Sequence, residues 1–127
     1  MKVSYEVSIH QPQGKQQQRK STCPHNHWGH TLSMYRGHIY LYGGNSNSQT
    51  KAASDLYSID TKNIDENEWI FRIPKDNSIM PERRDTHTAN IIDHKLYIIG
   101  GIKDDEKRCS EIWVYDIRKD ICKKGHI

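Results

Sequence analysis

At 127 residues the chain has the length of one ordinary domain, yet its mean hydropathy is −0.93 and its apolar supply rests on 16 Ile and seven Tyr, with three Ala and three Val. A net charge of +3, from 19 basic and 16 acidic residues, lacks the concentrated basic stripe of a nucleic-acid binder, so no nucleic-acid partner is expected. No stretch approaches the roughly 18 apolar residues of a membrane span, and residues 1–10 lack the continuous apolar run of a secretory signal, so no membrane partner is expected either.

In chain order, residues 1–23 form a leading segment. Val3, Tyr5, Val7 and Ile9 alternate as a strand would, and the Gln-rich stretch 11–18 follows with no assignable role. Residues 31–35 and 38–42 read as strands around a tight turn at Arg36-Gly37. Gly43-Gly44 then ends the second run, and a polar loop covers 45–53. Strands at 56–59 and 69–73 flank a polar connection at 60–67. A further set follows at 88–92, 95–99 and 112–115, with a charged loop at 103–108. Lys15, Arg19 and Lys20 near the start, and Arg118, Lys119, Lys123 and Lys124 near the end, read as solvated charge. The three cysteines, Cys23, Cys109 and Cys122, form no close pair, and the expected compartment is the reducing cytoplasm.

These elements are two copies of one unit. Placing His30-Thr31 on His87-Thr88 brings Pro24 onto Pro81, Tyr40 onto Tyr97 and Gly43-Gly44 onto Gly100-Gly101. After one residue of loop contraction, Tyr57 meets Trp113 and Asp60 meets Asp116. The second strand of each copy, Ile39 to Tyr42 and Leu96 to Ile99, does not alternate. A continuous apolar run predicts burial on both faces, as in a sheet held between neighbours. The glycine doublets predict positive φ and a close backbone approach where each run ends.

The order of these residues resembles the kelch repeat. The first copy supplies Pro24, His30, Tyr40, Gly43, Gly44, Tyr57, Asp60 and Trp69; the second supplies Pro81, Arg84, His87, Tyr97, Gly100, Gly101, Trp113 and Asp116. The resemblance implies an all-β fold of antiparallel four-stranded blades belonging to a β-propeller. It is incomplete, since about two blades are present where a ring takes about four to eight. It gives a first repeat over 24–73, an inter-blade loop at 74–86, a truncated second repeat over 87–120 and a basic tail at 121–127. His27 stands where the first repeat should carry Arg, and no Trp follows Asp116. The outward faces are expected to be bare along Ile39, Leu41, Ile98 and Ile112, which would leave the chain marginal or self-associating.

Chemistry is sparse. Cys23, His25, His27 and His30 crowd into eight residues with zinc-type donors, but the spacing fits no standard finger, and His30 already has a repeat partner in His87. No nucleophile elbow, phosphate loop or dinucleotide fingerprint occurs. No catalytic residue, metal or cofactor is therefore assigned. The resemblance implies instead a non-enzymatic adaptor or scaffold that binds a protein through its loops. Asn45, Asn47, Arg83, Lys103 and Asp104 are the candidate contacts, with Arg83 the exposed arginine and Arg84 bracing its own blade. A truncated remnant without independent function and a metal-binding protein using the Cys23–His30 cluster are the alternatives.

Overall fold

The computed structural model describes residues 18–21, 28–45, 56–73, 79–103 and 105–125. The first sheet contains β1 (Gln18–Ser21), β2 (Trp28–Tyr35), β3 (His38–Asn45), β4 (Leu56–Asp60) and β5 (Trp69–Arg72), in the spatial order β1-β5-β4-β3-β2. A two-residue strand, β6 (Arg84–Asp85), lies between the sheets. The second sheet holds β7 (Thr88–Ile92), β8 (Lys95–Ile99), β10 (Ile112–Asp116) and β11 (Ile121–Gly125), ordered β11-β10-β8-β7. The short β9 (Ile102–Lys103) pairs with β6. All pairs are antiparallel; β2 to β5 form one meander and β7, β8, β10 and β11 another, as short strands joined by Gly- and Asn-bearing turns require, while β1 adds to the far edge of the first meander beside β5. Among the described residues no helix is long and apolar enough to cross a membrane.

Register fixes which side of each sheet a residue serves, because directly opposed residues of an antiparallel pair share a face. Ser33 opposes Tyr40, Thr31 opposes Tyr42, and these oppose Ser58 and Leu56 in turn. On the second sheet Ala89 opposes Ile98 and Ile91 opposes Leu96, which oppose Trp113 and Tyr115. These two faces meet. Tyr40, Tyr42, Leu56, Leu96, Ile98, Tyr115 and Cys122 form one buried cluster, closed by Met80 from the segment between the blades. Leu41, Ile59 and Trp69 form a smaller cluster on the other face of the first blade.

Two expectations need correction. The second repeat does not stop at residue 120. Ile121–Gly125 pairs with β10 along its whole length, with Cys122 opposite Tyr115, so this blade has four strands. Its outward lysines made it read as tail. The bare rows were also misplaced. Leu41 and Ile98 are buried and Ile39 and Ile112 are partly covered, whereas Leu32, Met34, Ile92 and Ile99 stand exposed. The strand period was right, but which phase faces a neighbour depends on where that neighbour sits. The predicted strand at 3–9 lies outside the described residues. In the first copy the glycine doublet lies within a strand, since β3 continues to Asn45; in the second, β8 ends at Ile99 before its doublet.

The connections at the lower end repeat as well. The carboxylate of Asp60 accepts the Lys62 amide at the start of a 3-10 helix, Thr61–Glu66. Asp116 accepts the amides of Arg118 and Lys119 in the corresponding turn. The repeat thus keeps Asp where a strand must turn, because its side chain satisfies amides that the turn leaves open.

Candidate protein-interaction face

The upper end of the molecule is organised by the segment that runs from one blade to the next. Both glycine doublets have positive φ, at 70° and 98° for Gly43 and Gly44 and at 70° and 104° for Gly100 and Gly101. The reason lies in what passes over them. A Cβ on Gly43 would sit 2.5 Å from the Arg84 carbonyl oxygen and 2.5 Å from Cε1 of His87; one on Gly101 would sit 2.9 Å from Cβ of His87. The doublets therefore serve the close approach of residues 84–87 as much as the backbone geometry.

Arg84 is 1 % exposed and ties this segment down. It donates from Nε to the Glu82 carbonyl at 3.1 Å, from one terminal nitrogen to the Gly100 carbonyl at 3.2 Å, and from the other to the Glu111 carboxylate at 3.3 Å. Glu111 also accepts from the Trp113 indole at 3.0 Å and pairs with Lys124 at 3.0 Å. Those donors, Trp113 first and Lys124 next, hold its carboxyl down at about 2. His87 is buried against the edge of Tyr42, with Nε2 2.9 Å from the Thr31 hydroxyl and no hydrogen-bond partner for Nδ1 among the described residues. Burial, and then the nearby Arg84 charge, depress its pKa to about 4, so the ring is neutral at pH 7. The Tyr42 hydroxyl donates to the carbonyls of Pro81 and Glu82.

Lower in the seam, the Tyr115 hydroxyl donates to the buried Asp120 carboxylate at 2.6 Å. Burial and that carboxylate together push the phenol well above its ordinary range. Arg72 donates to Ser58 at 3.0 Å and to Tyr40 at 3.4 Å. The residues shared by the two repeats are thus used on packing and on satisfying the seam.

Above the seam lies a polar rim. Asn45 donates to the Asp85 carboxylate at 3.2 Å, and Lys103 pairs with Glu82 at 3.6 Å. These two contacts join the end of β3, the inter-blade segment and the charged loop after β9. That loop is a compact turn: the Glu106 amide donates to the Lys103 carbonyl, and the Asp105 carboxylate accepts the Lys107 amide. Thr86, Gly101, Ile102, Arg108 and Cys109 line a shallow depression of about 220 Å³ beside it.

Of the residues singled out in the sequence, the structure brings Asn45 and Lys103 to this rim. Arg83 is not the exposed arginine expected. It is 8 % exposed and donates to the Gly44 carbonyl at 3.2 Å. The doublet's tight course puts that carbonyl under the guanidinium. Asn47 and Asp104 lie outside the described residues, as do Pro24, Cys23, His25 and His27. Among the described residues no group of three His, Cys, Asp or Glu side chains comes together as a metal cluster. Asp85 and Glu82 were missed by sequence reasoning. Asp85, next to the repeat arginine, could have been found from its place in the short loop before His87.

Comparison with known proteins agrees with this architecture. The family model for the KLHDC2/KLHL20/DRC7 Kelch-repeats domain matches residues 2–126. The chain is 31 % identical over 88 residues, 69 % of its length, to the leucine-zipper-like transcriptional regulator 1 homolog of Drosophila melanogaster. It is 29 % identical over 82 residues, 65 % of its length, to the tRNA wybutosine-synthesizing protein 2/3/4 of Oryza sativa subsp. japonica. To Kelch domain-containing protein 3 of Rattus norvegicus it is 27 % identical over 108 residues, covering 78 % of the chain. The matched regions span 8 %, 7 % and 27 % of those relatives, so the chain corresponds to a small part of each. Kelch-repeat domains are typically protein-interaction modules. With two glycine-doublet blades seamed through a buried arginine, and a family match over nearly its whole length, the chain belongs to the kelch-repeat family.

Proposed function

We propose that this chain is a non-enzymatic adaptor or scaffold module of the cytoplasm that holds a protein partner on its upper rim. The observation that supports this reading is the linkage of the end of β3, the inter-blade segment and the base of the charged turn after β9 into one polar surface through Asn45–Asp85 and Lys103–Glu82. These loops differ between the copies while the strands beneath them match, which is how a repeated scaffold carries recognition. The rim offers both signs of charge within a few ångströms, so the partner surface is itself mixed and polar rather than an acidic or basic tract. Among the described residues Cys109 and Cys122 take part in no disulfide, and burial pushes the Cys122 thiol up to about 12, which accords with a reducing compartment.

The test is affinity capture with the whole chain, compared with Asn45→Arg and Lys103→Glu variants. A partner held by the wild type and lost from both rim variants, with their melting behaviour unchanged, is the expected outcome. A partner indifferent to both would remove the rim from the reading.

A further inference from the structure

The two blades differ at their outer edges. β5 and β11 hold the same place, each outermost in its meander, beside β4 and β10. β5 carries a further strand: β1 pairs with it antiparallel from end to end, Gln18 opposite Arg72 and Ser21 opposite Trp69. Beside β11 no strand lies among the described residues. Every second residue of an antiparallel ladder turns its N–H and C=O away from the neighbour it has, so β11 turns outward the row of backbone groups that β5 uses on β1. An outer edge of this chain therefore accepts an added strand. The strand it accepts needs no apolar pattern, since β1 reads Gln-Arg-Lys-Ser.

The side chains of β11 decide what can pair there. Lys123 and Lys124 are both exposed. Lys124 meets Glu111 at 3.0 Å, whereas Lys123 has no ion-pair partner among the described residues. Lys123 instead lines a cavity of about 210 Å³ with Lys95, Lys119, Val114, Asp116 and Ile121. The Asp116 carboxylate there accepts the amides of Arg118 and Lys119 and stands 3.5 Å from His94, so it is engaged within its own turn. Lysines on an edge strand guard it against pairing with like strands. A second β11 laid antiparallel about the strand's midpoint would set Lys123 against the same lysine, and β1 of another copy would bring Arg19 and Lys20. Like charges opposed across a ladder are unfavourable and opposite charges favourable. The guard thus turns away this chain's own basic strands and admits one that carries carboxylates.

We infer that β11 is a strand-addition site for an acidic extended segment of a partner protein. The segment pairs with the outward backbone of β11 and sets a Glu or Asp side chain beside Lys123, over the cavity shared with Lys95 and Lys119. Backbone pairing supplies the hold, and the lysines supply the choice of charge. The site runs along the outer edge of one blade, so it stands or falls independently of the rim and its partner.

The experiment is an NMR titration of the 127-residue chain with a synthetic peptide of alternating Val and Glu, and with its Val/Lys counterpart. Each peptide is about six residues long, as strands usually are. The expected result is that only the acidic peptide binds, shifting the β11 amide signals and slowing exchange of those that face outward. Lys123→Glu falls on an exposed side chain, and circular dichroism checks that it folds. It should weaken the acidic peptide at least about tenfold and let the basic one bind. Equal binding of both peptides, or binding of the acidic one that leaves the β11 signals in place, would overturn the site. So would outward β11 amides that exchange slowly before any peptide is added, because another segment would then already hold that edge.

Discussion

Residues 80–87 turn Met80, Pro81, Arg83, Arg84 and His87 into the seam between the blades, each less than a tenth exposed, while Glu82 from the same stretch is 73 % exposed and meets Lys103 on the rim. The five inward groups touch backbone, rings or a carboxylate; in the outward pair the Glu82 carboxylate stands largely in solvent. The same few residues thus divide between holding the fold and offering a surface. The difference is one of desolvation. A polar group in the seam has lost its water and depends on its protein partners, whereas one on the rim exchanges a partner for solvent at little cost.

The sharpest way to break the seam is Gly43→Ala, with Gly100→Ala as its control. Both glycines have φ of 70°, so both variants carry the same backbone strain of about 1–2 kcal/mol. Only at Gly43 does the new methyl meet a backbone oxygen and an imidazole at 2.5 Å; at Gly100 the nearest atom is the Cys109 carbonyl at 3.5 Å. Thermal melts should show Gly43→Ala destabilised by about 4 kcal/mol or more and Gly100→Ala by about 1. Equal losses would mean that strain, not close approach, keeps glycine in the doublet. Next comes Arg84→Lys. An ammonium cannot span the three directions served by the guanidinium, and two carbonyls and a carboxylate lose donors, for an expected loss of about 3 kcal/mol in denaturant titration. A lysine variant as stable as the wild type would show that charge alone suffices.

Acid probes the seam through His87. Its folded pKa of about 4 lies below the ordinary 6.5, so the native state favours the neutral ring. Stability is then complete above pH 6.5 and is lost as pH falls toward 4, to a total of about 3 kcal/mol. Glu111, held at about 2, adds its own loss only below its ordinary 4.5. Stability measured against pH should therefore bend first between 6.5 and 4, and His87→Gln should flatten that limb while leaving the one below 4.5. An unchanged upper limb would locate the titration elsewhere.

Sequence made the blades legible because their signal is local: apolar runs, doublets and turn-capping Asp60 and Asp116 recur in register. It failed where strands are built from backbone pairing alone. β1 is Gln-Arg-Lys-Ser, and β11 places only Cys122 fully inside while Lys123 and Lys124 face out, so neither has an apolar pattern to read. It also failed for Arg83, since no local feature distinguishes an arginine that caps a carbonyl across the seam from one that reaches into solvent. Asp85 had a readable place in the loop before His87, but its contact did not show: its partner Asn45 is 40 residues away and meets it only once the inter-blade segment crosses the doublet.

The smallest effect is the one that tests the division most directly. Lys103→Ala removes the ion pair with Glu82, whose carboxylate is mostly in water and screened there. The expected change in unfolding free energy is about 0.5 kcal/mol or less, against the several lost in the seam. Yet the same substitution removes a positive charge from the rim, so it should weaken capture of a rim-bound partner with little change in the melting midpoint. That pattern separates recognition from stability at a single residue. A large stability loss at Lys103, measured by the same denaturant titration as Arg84→Lys, would instead make the charged turn after β9 part of the framework, and the boundary between seam and rim would have to move outward to include it.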